Sequence, residues 1–134
     1  MNKLIGTIIN IQQSGAIMVA DIEVYGQTVS ALLIHADEQD EWLKVGNTVT
    51  VAFKETEMSI AKGLSGSISL RNRFRSIVEE LIKGELLSEV KLRYGLYSLT
   101  SVITTRSVEA LSLKVGDEVE ALVKANEVSL MKIN

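Results

Sequence analysis

A chain of 134 residues, 46% hydrophobic with a formal net charge of -3, has material for one substantial core or two very small ones, and no stretch nears the roughly 20 apolar residues that cross a bilayer. It has no cysteine, which excludes disulfides, thiolate metal sites and cysteine nucleophiles; with no signal-like apolar core after Met1, the expected compartment is the cytoplasm. Two Phe, three Tyr and one Trp on a mildly acidic background lack the basic excess and the stacking platforms of a nucleic-acid surface.

Taken in chain order, residues 4–11, 17–24 and 27–34 are rich in Val, Ile and Thr with partial period-two alternation and read as three strands, the last two joined by a turn at Tyr25-Gly26. Residues 36–43 break that pattern and place acid in the first turn, which predicts a short helix. Two more strands follow over 47–53 and 57–61, after a turn at Val45-Gly46-Asn47. Residues 63–68 form a flexible joint, Gly63-Leu64-Ser65-Gly66-Ser67 followed by Ile68. Beyond it the series repeats, with strands over 74–82, 86–93 and 98–104, a helix over 105–111, and strands over 118–124 and 128–132.

The repetition is literal. Leu43-Lys44-Val45-Gly46 recurs as Leu113-Lys114-Val115-Gly116, an offset of 70, and the same offset pairs Asn2 with Asn72, Lys54 with Lys124, Glu57 with Glu127 and Lys62 with Lys132 without a gap. The expected organisation is therefore a first unit over 1–62, the joint over 63–68 and a second unit over 69–134. Five strands with a small helix after the third is the element order of an OB-type barrel, so the fold class is all-β: two tandem OB-like five-stranded barrels, each with one short helix between strands 3 and 4. Units of this size bury little surface alone and pack together or against other chains.

Catalytic signatures are missing. His35 is the only histidine, and no HExxH, GxSxG, phosphate-loop or dinucleotide fingerprint occurs, so His35 reads as a structural or surface residue. Asp37, Glu38, Asp40 and Glu41 have the wrong spacing for a calcium loop and read as a solvated helix face. A second cluster consists of donors: Ser69, Arg71 and Asn72 before the second unit's first strand, Thr104 and Ser107 at its helix start, and Lys124 with the Ala125 backbone at the end of its fourth strand. Hydroxyls, a guanidinium, an ammonium and backbone N–H groups are what a small oxyanion needs; equally, Thr104 can simply cap the helix while the arginines are surface cations. A third possibility is a basic aromatic patch for single-stranded nucleic acid built from Arg71, Arg73, Arg75 and Phe74.

Ser69-Leu70-Arg71-Asn72-Arg73-Phe74, then Val102-Ile103-Thr104 with Ser107, then Leu113-Lys114-Val115-Gly116-Asp117-Glu118-Val119 and Ala121-Leu122-Val123-Lys124-Ala125, resemble the molybdenum-pterin-binding family, also called molbindins, Mop or TOBE domains. The resemblance spans the second unit; the first looks like a divergent member keeping Asn2, Gly6, Gly15-Ala16, the turn at Gly46 and Lys54. It implies a cytoplasmic, non-catalytic protein that binds molybdate or tungstate, with anion sites at contacts between barrels and between the chains of a homo-oligomer. Because related domains occur in molybdate transporters and transcription factors, a sensing module docked on such a component is the alternative to storage or homeostasis. Carried over as ligand-binding are Ser69, Arg71, Asn72, Thr104, Ser107, Lys124 and Ala125, with Lys54 weaker. Departures are Leu70 for a small Ala, Ser76 for Gly and Leu87 for Asn; in the first unit Ile34 and Asp37 replace the Thr and Ser, and no Ser-x-Arg precedes Asn2. A carboxylate such as Asp37 repels a dianion, so the first unit is expected to have lost a complete site or to contribute only Lys54 and backbone donors.

Overall fold

Burial of Asn2, Leu4, Gly6 and Ile8, with Lys3, Ile5, Thr7 and Ile9 facing out, makes the start of the chain a strand in the computed structural model, which describes residues 1–34 and 41–133. This strand is β1 (Asn2–Ser14), followed by β2 (Ile17–Val24), β3 (Gln27–Ile34), β4 (Thr48–Phe53), a 3-10 turn (Glu55–Glu57) and β5 (Ser59–Ala61). The second copy supplies β6 (Asn72–Lys83), β7 (Leu87–Tyr94), β8 (Tyr97–Thr104), α1 (Thr105–Ala110), β9 (Glu118–Val123), a second 3-10 turn (Ala125–Glu127) and β10 (Ser129–Lys132). The class is all-β as expected, and the helix expected over 105–111 is α1. Of the helix expected over 36–43, residues 36–40 lie outside the described residues, and 41–43 form turns. His35, Asp37, Glu38 and Asp40 lie outside them too.

Two antiparallel five-stranded sheets result, in the orders β10-β4-β1-β2-β3 and β5-β9-β6-β7-β8. Each sheet takes four strands from one copy and its fifth from the other. Ser129 lies opposite Ala52, and Ser59 lies opposite Leu122, positions related by the same repeat offset. Five consecutive strands per barrel is thus corrected on strand ownership: residues 59–61 complete the second sheet and 129–132 the first. The local reason is the 3-10 turn. After β4 the chain is extended at Lys54, makes one turn closed by the Glu57 N–H to the Lys54 carbonyl at 3.0 Å, and is extended again at Met58. It continues across to the neighbouring sheet instead of reversing along β4 as a hairpin does.

The repeated Leu-Lys-Val-Gly segment has a mechanical role. Gly46 N–H donates to the Ile8 carbonyl at 2.8 Å and Gly116 N–H to the Val78 carbonyl at 2.7 Å. Both acceptors stand where the long strand bulges, β1 slipping register on β2 between Ile8 and Asn10, and β6 on β7 between Val78 and Glu80. A bulge bends its strand and increases its twist, so each sheet curls. In the second sheet the Ser101 hydroxyl then reaches from β8 to the Met58 carbonyl just before β5, at 2.5 Å, tying the two edges together.

The inward faces of both copies share one core. Phe53 stacks on Phe74 with ring centroids 5.9 Å apart, and Phe74 meets Tyr94 edge-on at 5.0 Å. The buried Tyr94 hydroxyl donates to the Val24 carbonyl at 2.6 Å; Val24 is Tyr94's own counterpart in the first copy, so this bond lies near the axis relating the two. No helix among the described residues is long and apolar enough to cross a membrane.

Candidate functional site

The expected donor residues fall into two groups. In the first, the β6–β9 ladder sets Asn72 opposite Val123, so the preceding residue Arg71 stands beside Lys124. Ser69, Arg71 and Lys124 are exposed, and Lys124 leads into the second 3-10 turn with its carbonyl accepting from the Glu127 N–H at 2.9 Å. This turn, which begins with Ala125, packs against β3 of the first copy. Among the described residues the ion pairs are Met1 with Glu55, Lys62 with Asp117, Arg73 with Glu120 and Arg93 with Glu79. Neither Arg71 nor Lys124 is in one. Two cations side by side without a carboxylate partner raise the local potential and leave their donors open to an anion.

Asn72 belongs to this group in position but not in bonding. Its amide donates to the Ser30 carbonyl at 2.8 Å and accepts from the Ser30 N–H at 2.7 Å, and the residue is 1% exposed. The side chain acts as a peptide group pairing with the edge of β3. Asn2 does the same to Thr100 of β8, both bonds at 2.8 Å. Asn72, expected as a ligand donor, thus joins the copies through its Oδ1 and one of its two amide hydrogens.

The second group is Thr104 with Ser107. The Thr104 hydroxyl accepts from the Ser107 N–H at 3.1 Å and lies 2.8 Å from the Ser107 hydroxyl, so the cap engages one hydroxyl hydrogen of the pair and leaves the other for a ligand. Thr105 anchors this corner by donating to the Gly84 carbonyl at 2.8 Å, with its hydroxyl 2.7 Å from that of buried Ser88. Leu86 and Leu87 beside it are 78% and 58% exposed.

One chain does not bring the groups together. Thr104 pairs with Leu87, next to the Lys83–Ser88 pairing at the far end of β6, whereas Arg71 and Lys124 flank the Asn72–Val123 pairing at its near end. The 12 residues of β6 between these ends are a path of roughly 35–40 Å along the strand.

In the first copy Lys54 occupies the place of Lys124, exposed at the start of its own 3-10 turn, which packs against β8. The residue after it is Glu55 where the second copy has Ala125. Its carboxylate is ion-paired to the Met1 amino group, and that ammonium holds the carboxyl below the usual range. A carboxylate at this position opposes anion binding. Sequence reasoning looked to Asp37 for that opposition and passed over Glu55, although the repeat offset sets Glu55 directly over Ala125.

The basic aromatic patch is not assembled. Phe74 is fully buried in the core, and the Arg73 Nε is 2.7 Å from Glu120. The patch therefore lacks Phe74, the one ring it was read from.

Known proteins share both sequence and fold. Residues 68–130 match the TOBE domain. The chain is 41% identical over 66 residues to molybdenum-pterin-binding protein 2 of Clostridium pasteurianum, covering 48% of this chain and 97% of that protein. It is 35% identical over 107 residues to the molybdenum-pterin-binding protein MopB of Rhodobacter capsulatus, which is 78% of this chain but only 40% of MopB. A crystal structure of the cytoplasmic molybdate-binding protein ModG with molybdate bound has the same fold, with a TM-score of 0.92, 25% identity, and coverage of 98% of this chain and 96% of ModG. The TOBE match over residues 68–130, with 41% identity to a molybdenum-pterin-binding protein along 97% of its length, places the chain in the molybdenum-pterin-binding family.

Proposed function

We propose that the chain is a cytoplasmic molybdate- or tungstate-binding protein serving storage or homeostasis without catalysis, whose complete sites form where two chains of a homo-oligomer meet. The observation that carries this reading is the division of donors between the two ends of one sheet. Arg71, Lys124, Ser69 and the Ala125 backbone stand at one end, and the Thr104 and Ser107 hydroxyls at the other. Neither group alone surrounds a tetrahedral dianion; the near end of one chain against the far end of another does. Exposed Leu86 and Leu87 beside Thr104 give that contact an apolar border.

The chemistry of the set supports the choice of ion. Molybdate and tungstate at neutral pH are fully deprotonated and only accept hydrogen bonds, whereas phosphate keeps a proton that a donor-rich pocket leaves unpaired, at about 1–3 kcal/mol. Asn72 holds the entry segment in place, and Lys54, with Glu55 beside it, does not complete a site of its own.

Calorimetric titration of the purified protein with molybdate tests the reading. Arg71→Ala and Lys124→Ala should each weaken binding by about tenfold or more, the loss of a charge-assisted hydrogen bond of roughly 1.5–3 kcal/mol. No heat at millimolar molybdate ends the proposal. Mixing an Arg71→Ala/Lys124→Ala chain with a Thr104→Ala/Ser107→Ala chain should restore part of the binding, since hybrid contacts join two intact ends; no recovery places each site within one chain.

A further inference from the structure

Further along the outward face of β6 from Arg71, a cavity of about 310 Å³ opens between the β2–β3 turn and the outer face of β6 and β9, walled by Tyr25, Gln27, Tyr94, Arg73, Arg75 and Glu120. The internal repeat shows what this space can hold. The offset carries Gln27 onto Tyr97, Arg75 onto Ile5, Arg73 onto Lys3 and Glu120 onto Thr50. At that counterpart position the Tyr97 side chain reaches across, and its hydroxyl accepts from the Ile5 backbone N–H at 3.0 Å. In the cavity the corresponding side chain is Gln27, which folds back so that its Nε2 donates to the Thr28 carbonyl at 3.3 Å. The protein thus fills one of two related positions with its own phenol ring and leaves the other without one.

The unfilled position has the features a ring needs. Tyr25 and Tyr94 stand edge-to-face with centroids 6.1 Å apart, offering aromatic walls. Tyr25 is kept there by Gly95, where any Cβ would come within 2.8 Å of its ring. Where the counterpart has the neutral Ile5, the cavity has Arg75, which makes no ion pair among the described residues, while Arg73 is neutralised by Glu120. A volume of about 310 Å³ sits at the small end of ligand sites and exceeds the roughly 150 Å³ cavity that holds benzene.

We propose that this cavity binds a single-ring aromatic carboxylate, the ring against Tyr25 and Tyr94 in the place Tyr97 takes in its counterpart, and the carboxylate on Arg75. The site is independent of the oxyanion reading and stands or falls separately from it. The test is a chemical-shift titration of the full-length, isotope-labelled protein with benzoate as the probe and cyclohexanecarboxylate as a control of equal charge. Saturable shifts at the Gly26, Gln27 and Arg75 amides are expected at millimolar benzoate, weaker with the control and unchanged by saturating molybdate. Arg75→Ala should weaken benzoate by about tenfold. Gln27→Tyr should abolish the shifts and raise the melting temperature, because it supplies the missing ring. Absence of saturation, shifts centred on Arg71 and Lys124, equal response to the saturated acid, or indifference to both substitutions would overturn the proposal.

Discussion

Asn2 and Asn72 make the same pair of backbone hydrogen bonds on opposite sides of the molecule, Asn2 to Thr100 and Asn72 to Ser30. Removing either amide leaves a strand edge with one donor and one acceptor unpaired, so Asn2→Ala and Asn72→Ala should each destabilise by about 1–3 kcal/mol in urea unfolding. If Asn72→Ala spares stability but removes molybdate binding, its amide is a ligand after all. An asparagine amide carries the same donor and acceptor as a peptide, which is why the sequence points equally to an anion or a strand edge. The clue lay in Asn2, which keeps the residue without the Ser-x-Arg that would give it a ligand role. Arg71 was legible as an open donor because no carboxylate lies near it in sequence, whereas Lys124, flanked by Glu120 and Glu127, was legible only through the family motif. A second residue-scale expectation concerns Asp117, whose carboxyl is held below the usual range first by the Lys62 ammonium and then by the Lys114 N–H. A carboxyl depressed in the folded state stabilises above its unfolded value of about 3.9 and loses that contribution as the pH falls through the folded one. The difference in melting temperature between the wild type and Asp117→Asn should therefore be present at neutral pH and vanish in acid below that range. A difference that persists there assigns the effect to packing.

Among the elements, the turns that close the β-bulges are the most exacting. Gly46 and Gly116 have φ of 96° and 95°, and a Cβ at either would meet no atom within 4 Å, so the requirement is conformational and not spatial. Gly116→Ala should cost about 1–3 kcal/mol in thermal or urea unfolding, and a neutral result would show that the turn can relax. Strand positions were readable from alternation, because each copy buries one face of each strand. Strand ownership was not. Ser59–Ala61 and Ser129–Lys132 present similar side chains to Ala121 and Val51, and alternation alone does not say which fifth strand lies on which fourth. The 3-10 turns that decide the matter span three residues each, too short for a periodic signal. The distance between Thr104 and Arg71 was hidden for a related reason, since it depends on strand register.

At the scale of the molecule, the copies are joined by a common core around Phe53, Phe74 and Tyr94 as well as by the exchanged strands. The connecting segment 63–68 bears little of this load: Gly63, Ser65, Gly66, Ser67 and Ile68 are exposed. Cutting the chain there should leave both pieces migrating together in native gel filtration and separating only in denaturant. Pieces that part on cleavage would show that the core and the exchanged strands are too weak to hold them.

The exchange of fifth strands also sets an order of events during synthesis. The edge of β4 is covered by β10, a strand of the second copy, so the first copy waits with an open sheet edge until the second has been made. An unpaired edge on a nascent chain is a template for neighbours on the same message, and pairing across so long a stretch is slow. This architecture therefore favours folding of the two copies together over folding of one after the other. The nascent chain depends most on chaperones in the interval before β10 arrives.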